Sequence, residues 1–339
     1  MNYAYLRERL EDDQSKIYFD ARFRYLFDKR VSSFYQTIRL SGEKYFLREI
    51  DLFKKLQGIS SWIVFGNDDY AIYNCQIMMD CGYSVIGVTS NDLMKMFDET
   101  LKVYDVDEIN IALQNGEIGL IVNQRDYALI KDRISYKEKI IIMPSHIVGR
   151  SGFQYFDFFS PHSKEVFLDA GSLDGKTTLS FIEWCNGDFE RVYAFEPNPL
   201  MFEECRKNLN LYQNRVLLFK YALWDKPTKL LFENTNSKWD ARIDSNGSIF
   251  VETESIDHIL NDKKITFIKF DIEGSEMAAL AGAQKSIMTN KPRMAISVYH
   301  KDNDLFDIME FLINIIPDYK FAIRHYHSDC IETILYVYR

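Results

Sequence analysis

The sequence predicts an α/β protein built from two successive strand–helix units, with ligands held at strand ends. Three observations support this. Short apolar runs alternate with helical-period segments along most of the chain, the pattern of a parallel sheet covered by helices. The second set of strands ends in acidic or glycine-rich turns, in "VFLDAG", "AFEP" and "KFDIEG". The 339 residues are 47% hydrophobic, enough for two folded cores.

The front of the chain reads as helical and charged over residues 1–57. In "YFLREIDLFKKLQG", Phe46, Ile50, Phe53 and Leu56 keep helical spacing and Gly58 fits a stop. Residues 58–150 then read as a small parallel α/β domain. Its strands are "SSWIVFG", "YSVIGV", "GLIV" and "KIIIMP", and "QRDYALIKDRI" is helical. The stretch has the strand–turn–helix–strand shape of a dinucleotide unit, but only Gly66 of the fingerprint is present. Asp68 and Ala71 stand where glycines belong, and Asp68 and Asp69 would repel a pyrophosphate. The expected use is acceptor binding or homodimerisation, or a ligand other than NAD.

"GRSGFQYFDFFSPHSKE" marks a junction, and residues 151–339 form the second domain. Here "VFLDAG", "RVYAFEP", "RVLLFKYAL", "ITFIKFDIEG" and "PRMAISVYH" read as strands, with "TKLLFE" and "SIFVETES" as extra ones. "KTTLSFIEWC", "NPLMFEECRKNLNLY" and "DLFDIMEFLINII" read as helices, and "YKFAIRHY" with "ETILYVYR" as a closing antiparallel hairpin.

"LDAGSLDGKTT", Leu168 to Thr178, ends like a phosphate-binding loop. That loop needs four residues between its glycines, whereas Ser172, Leu173 and Asp174 alone separate Gly171 from Gly175. Asp169 and Asp174 would also repel a polyphosphate. The alternative is a nucleoside site at the first strand–helix crossover, with Glu196, 27 residues after Asp169, placed to bind both ribose hydroxyls. NAD and S-adenosylmethionine fit that order about equally. The loop departs from GxGxxG, and its acids suit an ammonium and a sulfonium better than a pyrophosphate.

"KFDIEGSE" supplies a second acidic cluster. In an alternating strand Lys269, Asp271 and Glu273 share a face, and the open strand end is the ligand crevice. Capping of the next helix, aided by Glu276, is the structural alternative. Asp271, Glu273 and His300 in "SVYHKD" are the candidates to take a proton from an acceptor. The same three could ligate a divalent metal, but no tight motif supports one, and no required metal is expected.

The segment from "FQYFD" onward resembles the FkbM family of S-adenosylmethionine-dependent methyltransferases. The motifs that carry the likeness are "VFLDAGSLDGKTT", "VYAFEPNP", "ALWD", "ITFIKFDIEGSEMAALAGA" and "ISVYHKDNDLFDI", in that order. The resemblance implies a doubly wound seven-stranded methyltransferase sheet, a preceding Rossmann-like domain, and methyl transfer to a hydroxyl of a glycan or small metabolite. It places Asp169, Gly171 and Gly175 along the amino-acid and sulfonium part of the cofactor. Glu196 would then take the ribose, and Ala222 and Leu223 would lie beside the adenine. A nicotinamide oxidoreductase and a non-catalytic binding protein are the competing readings.

The net charge of −9 argues against nucleic acid or an anionic membrane as the main partner. Five scattered cysteines lack metal-ligand spacing, the charged beginning does not read as a signal peptide, and no apolar run spans a bilayer. The expected setting is therefore cytoplasmic. Gln154 and Tyr155, with Arg150, are further possibilities for the acceptor cleft. "ENTNSKWDARIDSNGSIF", with Trp239 and Arg242, reads either as a cover for the acceptor or as an exposed hairpin.

Overall fold

The computed structural model describes residues 2–38, 58–67, 71, 74–75, 78–79, 82–97, 99–143, 154–233, 242–326 and 330–339. The chain divides into two units. One comprises Met1–Lys16, Val148–Tyr326 and Ile331–Arg339, and the other Ile17–Ile147 and His327–Cys330. The first sixteen residues thus group with the C-terminal part, a long-range tie that helical patterning does not carry. The helices of residues 2–38 are α1 (Tyr3–Glu8), α2 (Asp13–Asp28) and α3 (Val31–Ile38). Phe46, Ile50, Phe53 and Leu56 lie outside the described residues.

The Ile17–Ile147 unit is built on five strands: β1 (Ser61–Phe65), β2 (Ser84–Val88), β3 (Lys102–Val103), β4 (Ile118–Asn123) and β5 (Ile140–Met143). All pair in parallel, in the order β3-β2-β1-β4-β5. The two-residue β3 is too short to leave a period in the sequence. Helices α4 (Asn91–Phe97), α5 (Val106–Leu113) and α6 (Gln124–Ile130) intervene. A capping box starts α5, in which Asp105 accepts from the Glu108 amide and Glu108 from the Asp105 amide. At the β1 terminus the Gly66 N–H donates to Thr89 Oγ1 at 2.9 Å, and that hydroxyl donates to the Gly66 carbonyl at 3.1 Å. Thr89 therefore stands just beyond β2, where a dinucleotide site carries its ribose-binding carboxylate. Asp68 and Asp69 are outside the described residues.

In the other unit the elements run β6 (Glu165–Ala170), α7 (Lys176–Trp184), β7 (Phe189–Phe195), α8 (Pro199–Asn208), β8 (Val216–Phe219), β9 (Ala222–Leu223), β10 (Thr228–Glu233), β11 (Arg242–Ile243) and β12 (Ile249–Glu254). They continue with α9 (Ile256–Leu260), β13 (Phe267–Phe270), α10 (Glu276–Ala281), α11 (Gln284–Asn290), β14 (Arg293–Ser297), α12 (Asp304–Ile315), β15 (Lys320–His325) and β16 (Thr333–Tyr338). Seven strands form one sheet, ordered β15-β16-β14-β13-β6-β7-β8. Six run in one direction, and β16 alone of the seven is reversed, antiparallel to both β14 and β15. A second sheet of four strands, β11-β10-β12-β9, follows a different course.

"RVLLFKYAL", expected as one strand, is two. Phe219 pairs with Phe195 in the large sheet, and after Lys220 and Tyr221 the chain crosses to pair Ala222 with Thr253 in the small one. An aromatic cluster packs against β6. Phe167 stacks on Phe181 with ring centroids 4.3 Å apart, and Phe156, Trp184 and Phe267 surround them. Among the described residues no helix is long and apolar enough to cross a membrane.

Candidate functional site

The strand order reverses at β6, which has β7 on one side and β13 on the other. Register then dictates what meets there. Asp169 is level with both Ala194 and Lys269, and Ala170 with Phe195 and Phe270. One residue further on, Gly171, Glu196 and Asp271 leave the three strand ends side by side. The Gly171 amide donates to the Phe195 carbonyl at 3.1 Å, and the Asp271 amide to the Ala170 carbonyl at 3.1 Å. All three residues line a cleft of about 930 Å³, within the usual range for small-ligand sites.

Gly171 has φ +84°, and a Cβ there would lie 1.9 Å from the Asp271 carbonyl oxygen. Only glycine fits that backbone approach. On one side of it sits Glu196, 5% exposed. Its two carboxylate oxygens accept the Leu173 and Asn198 amides, each at 2.8 Å. Burial pushes this carboxyl up to about 7, against the pull of those two N–H donors and of Lys269. Ala222 and Leu223 line the same side of the cleft with Phe195, Tyr221 and Trp224.

Lys269 lies behind the other side, 1% exposed. Its ammonium donates to the carbonyls of Ala170 at 3.1 Å and Gly171 at 2.7 Å, and lies 3.3 Å from Asp169 Oδ1 and 4.0 Å from Asp271 Oδ2. Asp169 is fully buried, with Oδ2 accepting the Thr178 hydroxyl at 2.7 Å. It does not line the cleft, and neither does Gly175, whose φ of +84° instead lets the turn into α7 pack on Cys205 and Leu209. The structure thus departs from the expected direct role for both: Asp169 is level with Lys269 and spends its charge on that ammonium.

Asp271 sits among donors. Tyr155 donates to its Oδ2 at 2.8 Å, and the Tyr299 hydroxyl stands 3.5 Å from Oδ1. Burial alone would raise the Asp271 carboxyl, but Lys269, His300 and the Tyr155 hydroxyl outweigh it and hold it below the usual range. His300 Nδ1 lies 2.9 Å from Glu276 Oε1, and Nε2 lies 3.5 Å from Asp271 Oδ1 and 3.4 Å from Glu273 Oε2. Burial disfavours the imidazolium, yet Glu276, Asp271 and Glu273 together push His300 up to about 9. The shared strand face expected for Lys269, Asp271 and Glu273 does not extend that far. The strand ends at Phe270, and Glu273 enters the cleft from a turn at φ +54°.

The sequence reading missed Leu173, whose amide holds Glu196, and Asn198, whose amide completes that carboxylate. It also missed Tyr299 and Glu332, which line the cleft beside His300 and Tyr155. Tyr299 was legible as the neighbour of His300; Glu332, on the turn into β16, had no local signal. Gln154, Tyr155 and Arg242 line the cleft, while Arg150 and Trp239 are outside the described residues.

The parallel sheet, with its ligand-sized cleft at the reversal of strand order, is a mixed α/β methyltransferase-like fold. Residues 169–323 match the model of the methyltransferase FkbM domain. The fold is similar to the crystal structure of Methyltransferase FkbM from Methylobacillus flagellatus KT, at TM-score 0.56 and 18% identity, over 96% of this chain and 99% of that one. Among curated proteins, the hexuronic acid methyltransferase AglP of Haloferax volcanii is 25% identical over 103 residues, 29% of this chain and 43% of that protein. The uncharacterized killer plasmid pGKl-2 protein 3 of Kluyveromyces lactis is 24% identical over 144 residues, 41% of this chain. The chain spans less than half of either curated relative, 43% and 22% of their lengths.

Proposed function

We propose that the chain is an S-adenosylmethionine-dependent O-methyltransferase whose acceptor is a hydroxyl of a sugar, in a glycan precursor or a related small metabolite. The observation that carries this reading is the emergence of Gly171, Glu196 and Asp271 side by side at three strand ends around one cleft. The name of the AglP relative supports a sugar acceptor.

In this reading Glu196 accepts both ribose hydroxyls on the lone pairs that Leu173 and Asn198 leave. Ala222 and Leu223 flank the adenine, and Gly171 leaves room for the amino-acid end. Asp169 is a positioning residue that holds Lys269 in place. S-adenosylmethionine, when bound, supplies a methyl carbon activated by its sulfonium. The acceptor oxygen would take that methyl carbon, the sulfur would keep the electron pair of the C–S bond, and a carboxylate of this chain would take the hydroxyl proton. With His300 protonated at neutral pH, that acceptor is Asp271 or Glu273.

Calorimetry with S-adenosylmethionine, S-adenosylhomocysteine, NADH and ATP tests the reading. The sulfur ligands alone should bind, and binding of NADH alone would replace it with the oxidoreductase. The Thr89 hydroxyl beyond β2 already weighs against a dinucleotide in the front unit.

A further inference from the structure

His300 Nε2 faces two carboxylates, Asp271 and Glu273. The His300 side chain is 8% exposed, and its Nε2 is buried and makes no hydrogen bond. That nitrogen faces Asp271 Oδ1 at 3.5 Å and Glu273 Oε2 at 3.4 Å, longer than the ~3.2 Å limit of an N–H···O bond. Two atoms each bonded at about 2.1 Å to a shared ion, and about 109° apart around it, are separated by about 3.4 Å. Each separation is that of two ligand atoms on a shared cation.

The other ring nitrogen is already committed. Nδ1 lies 2.9 Å from Oε1 of Glu276, a fully buried residue whose same oxygen accepts the Ile272 amide at 2.9 Å. A carboxylate on the far nitrogen is how proteins aim a metal-binding imidazole and fix its tautomer. Asp271, Glu276 and His300 each offer a ligand atom within 4.8 Å of the others. Because Glu276 Oε1 is occupied, we assign Glu276 to orientation and Glu273 to ligation. Charge points the same way. Asp271, Glu273 and Glu276 all face the His300 ring, while the Lys269 ammonium is drawn to Asp169 at 3.3 Å and lies 4.0 Å from Asp271, and the Lys301 ammonium turns to the Gly274 carbonyl.

We propose that Asp271, Glu273 and His300 bind a divalent cation of the Mn²⁺ or Zn²⁺ kind, with Glu276 orienting His300. Imidazole with two carboxylates suits such ions better than it suits Ca²⁺ or Mg²⁺. The site stands on geometry alone, and the ion's use rests on the proposed function. At that end of the cleft it would bind the acceptor oxygen and make its hydroxyl a stronger acid.

The test strips the full-length protein with a chelator and titrates it with Mn²⁺, read by electron paramagnetic resonance and calorimetry. Saturable uptake at one site per chain is expected, weakened at least about tenfold by His300→Asn and by Glu273→Gln, and about tenfold by Glu276→Gln. No saturable uptake of Mn²⁺ or Zn²⁺, or uptake that these changes leave intact, overturns the proposal. Glu273 is a third exposed, so Glu273→Gln should fold and decides the matter if His300→Asn does not. S-adenosylhomocysteine is titrated in parallel. Its failure to bind beside intact Mn²⁺ uptake would sink the methyltransferase reading and spare the metal site, and the reverse result would do the opposite.

Discussion

Replacing Glu196 by Gln tests the proposed nucleoside site most directly. The carboxylate already accepts two backbone amides at 2.8 Å, one on each oxygen. Gln keeps one oxygen and places an NH₂ against the other amide, so a donor faces a donor while ribose hydroxyls lose a charged acceptor. A hydrogen bond to a charged group contributes about 1.5–3 kcal/mol, and two weakened ones give a loss of about 2–4 kcal/mol, or roughly 30- to 1,000-fold in affinity for S-adenosylhomocysteine. The pH dependence gives a second, independent reading. Glu196 titrates at about 7, and hydroxyls donate best to the ionised form. Affinity should rise about tenfold from pH 6 to pH 8 as the ionised fraction grows, and the rise should vanish in Glu196→Gln. The stability of the free protein should follow the opposite trend. A carboxyl raised from 4.5 to about 7 binds more protons folded than unfolded, so this group's contribution to stability falls, by an order of 3 kcal/mol, as pH climbs through that window. Calorimetry of both proteins at three pH values is the assay. Wild-type affinity flat across pH 6–8, or unchanged affinity in the variant, would refute the placement of ribose at Glu196.

The same geometry makes further predictions. Lys269→Met should destabilise the protein by about 3–5 kcal/mol in urea unfolding, because Asp169 is left buried and charged, and adding Asp169→Asn should restore part of the loss. Gly171→Ala should cost at least about 2 kcal/mol and lower ligand affinity, since its Cβ collides with the Asp271 carbonyl at positive φ; an unshifted melting temperature would contradict the close approach. Asp271→Asn should lower the methyl-transfer rate by about 10²–10⁴ while S-adenosylhomocysteine still binds, as single-turnover kinetics beside calorimetry would reveal.

Much of this was legible because each site residue sits one step beyond a strand. Ala170, Phe195 and Phe270 are ordinary β residues, and the polar letter that follows each run marks the cleft. What local pattern could not show was the partner across the strands. Asp169 looked like a ligand-facing acid because nothing nearby in sequence neutralises it, yet Lys269 does so from 100 positions away. Alternation likewise placed Glu273 on a strand that stops at Phe270. Leu173 escaped notice because it contributes an amide, and any residue type can do that. Glu332 reaches the cleft from the closing hairpin, so its position depends on how that hairpin docks.

The grouping of residues 1–16 with the C-terminal part bears on the order of assembly. Edge strand β15 would otherwise present open backbone to other chains, but the Glu11 amide donates to the Phe321 carbonyl at 3.1 Å. The Ile323 amide donates to Ser15 Oγ at 2.8 Å, and Arg324 clasps Asp12 with Nη2 at 3.1 Å. These partners are some 308–312 positions apart. During synthesis the segment that leaves the ribosome early must wait for one made near the end, while the whole front unit is translated and can fold in between. A fragment beginning at the junction would carry every cleft residue and yet leave β15 uncovered. Its difficulty in solution would then be self-association at that edge rather than loss of the ligand site.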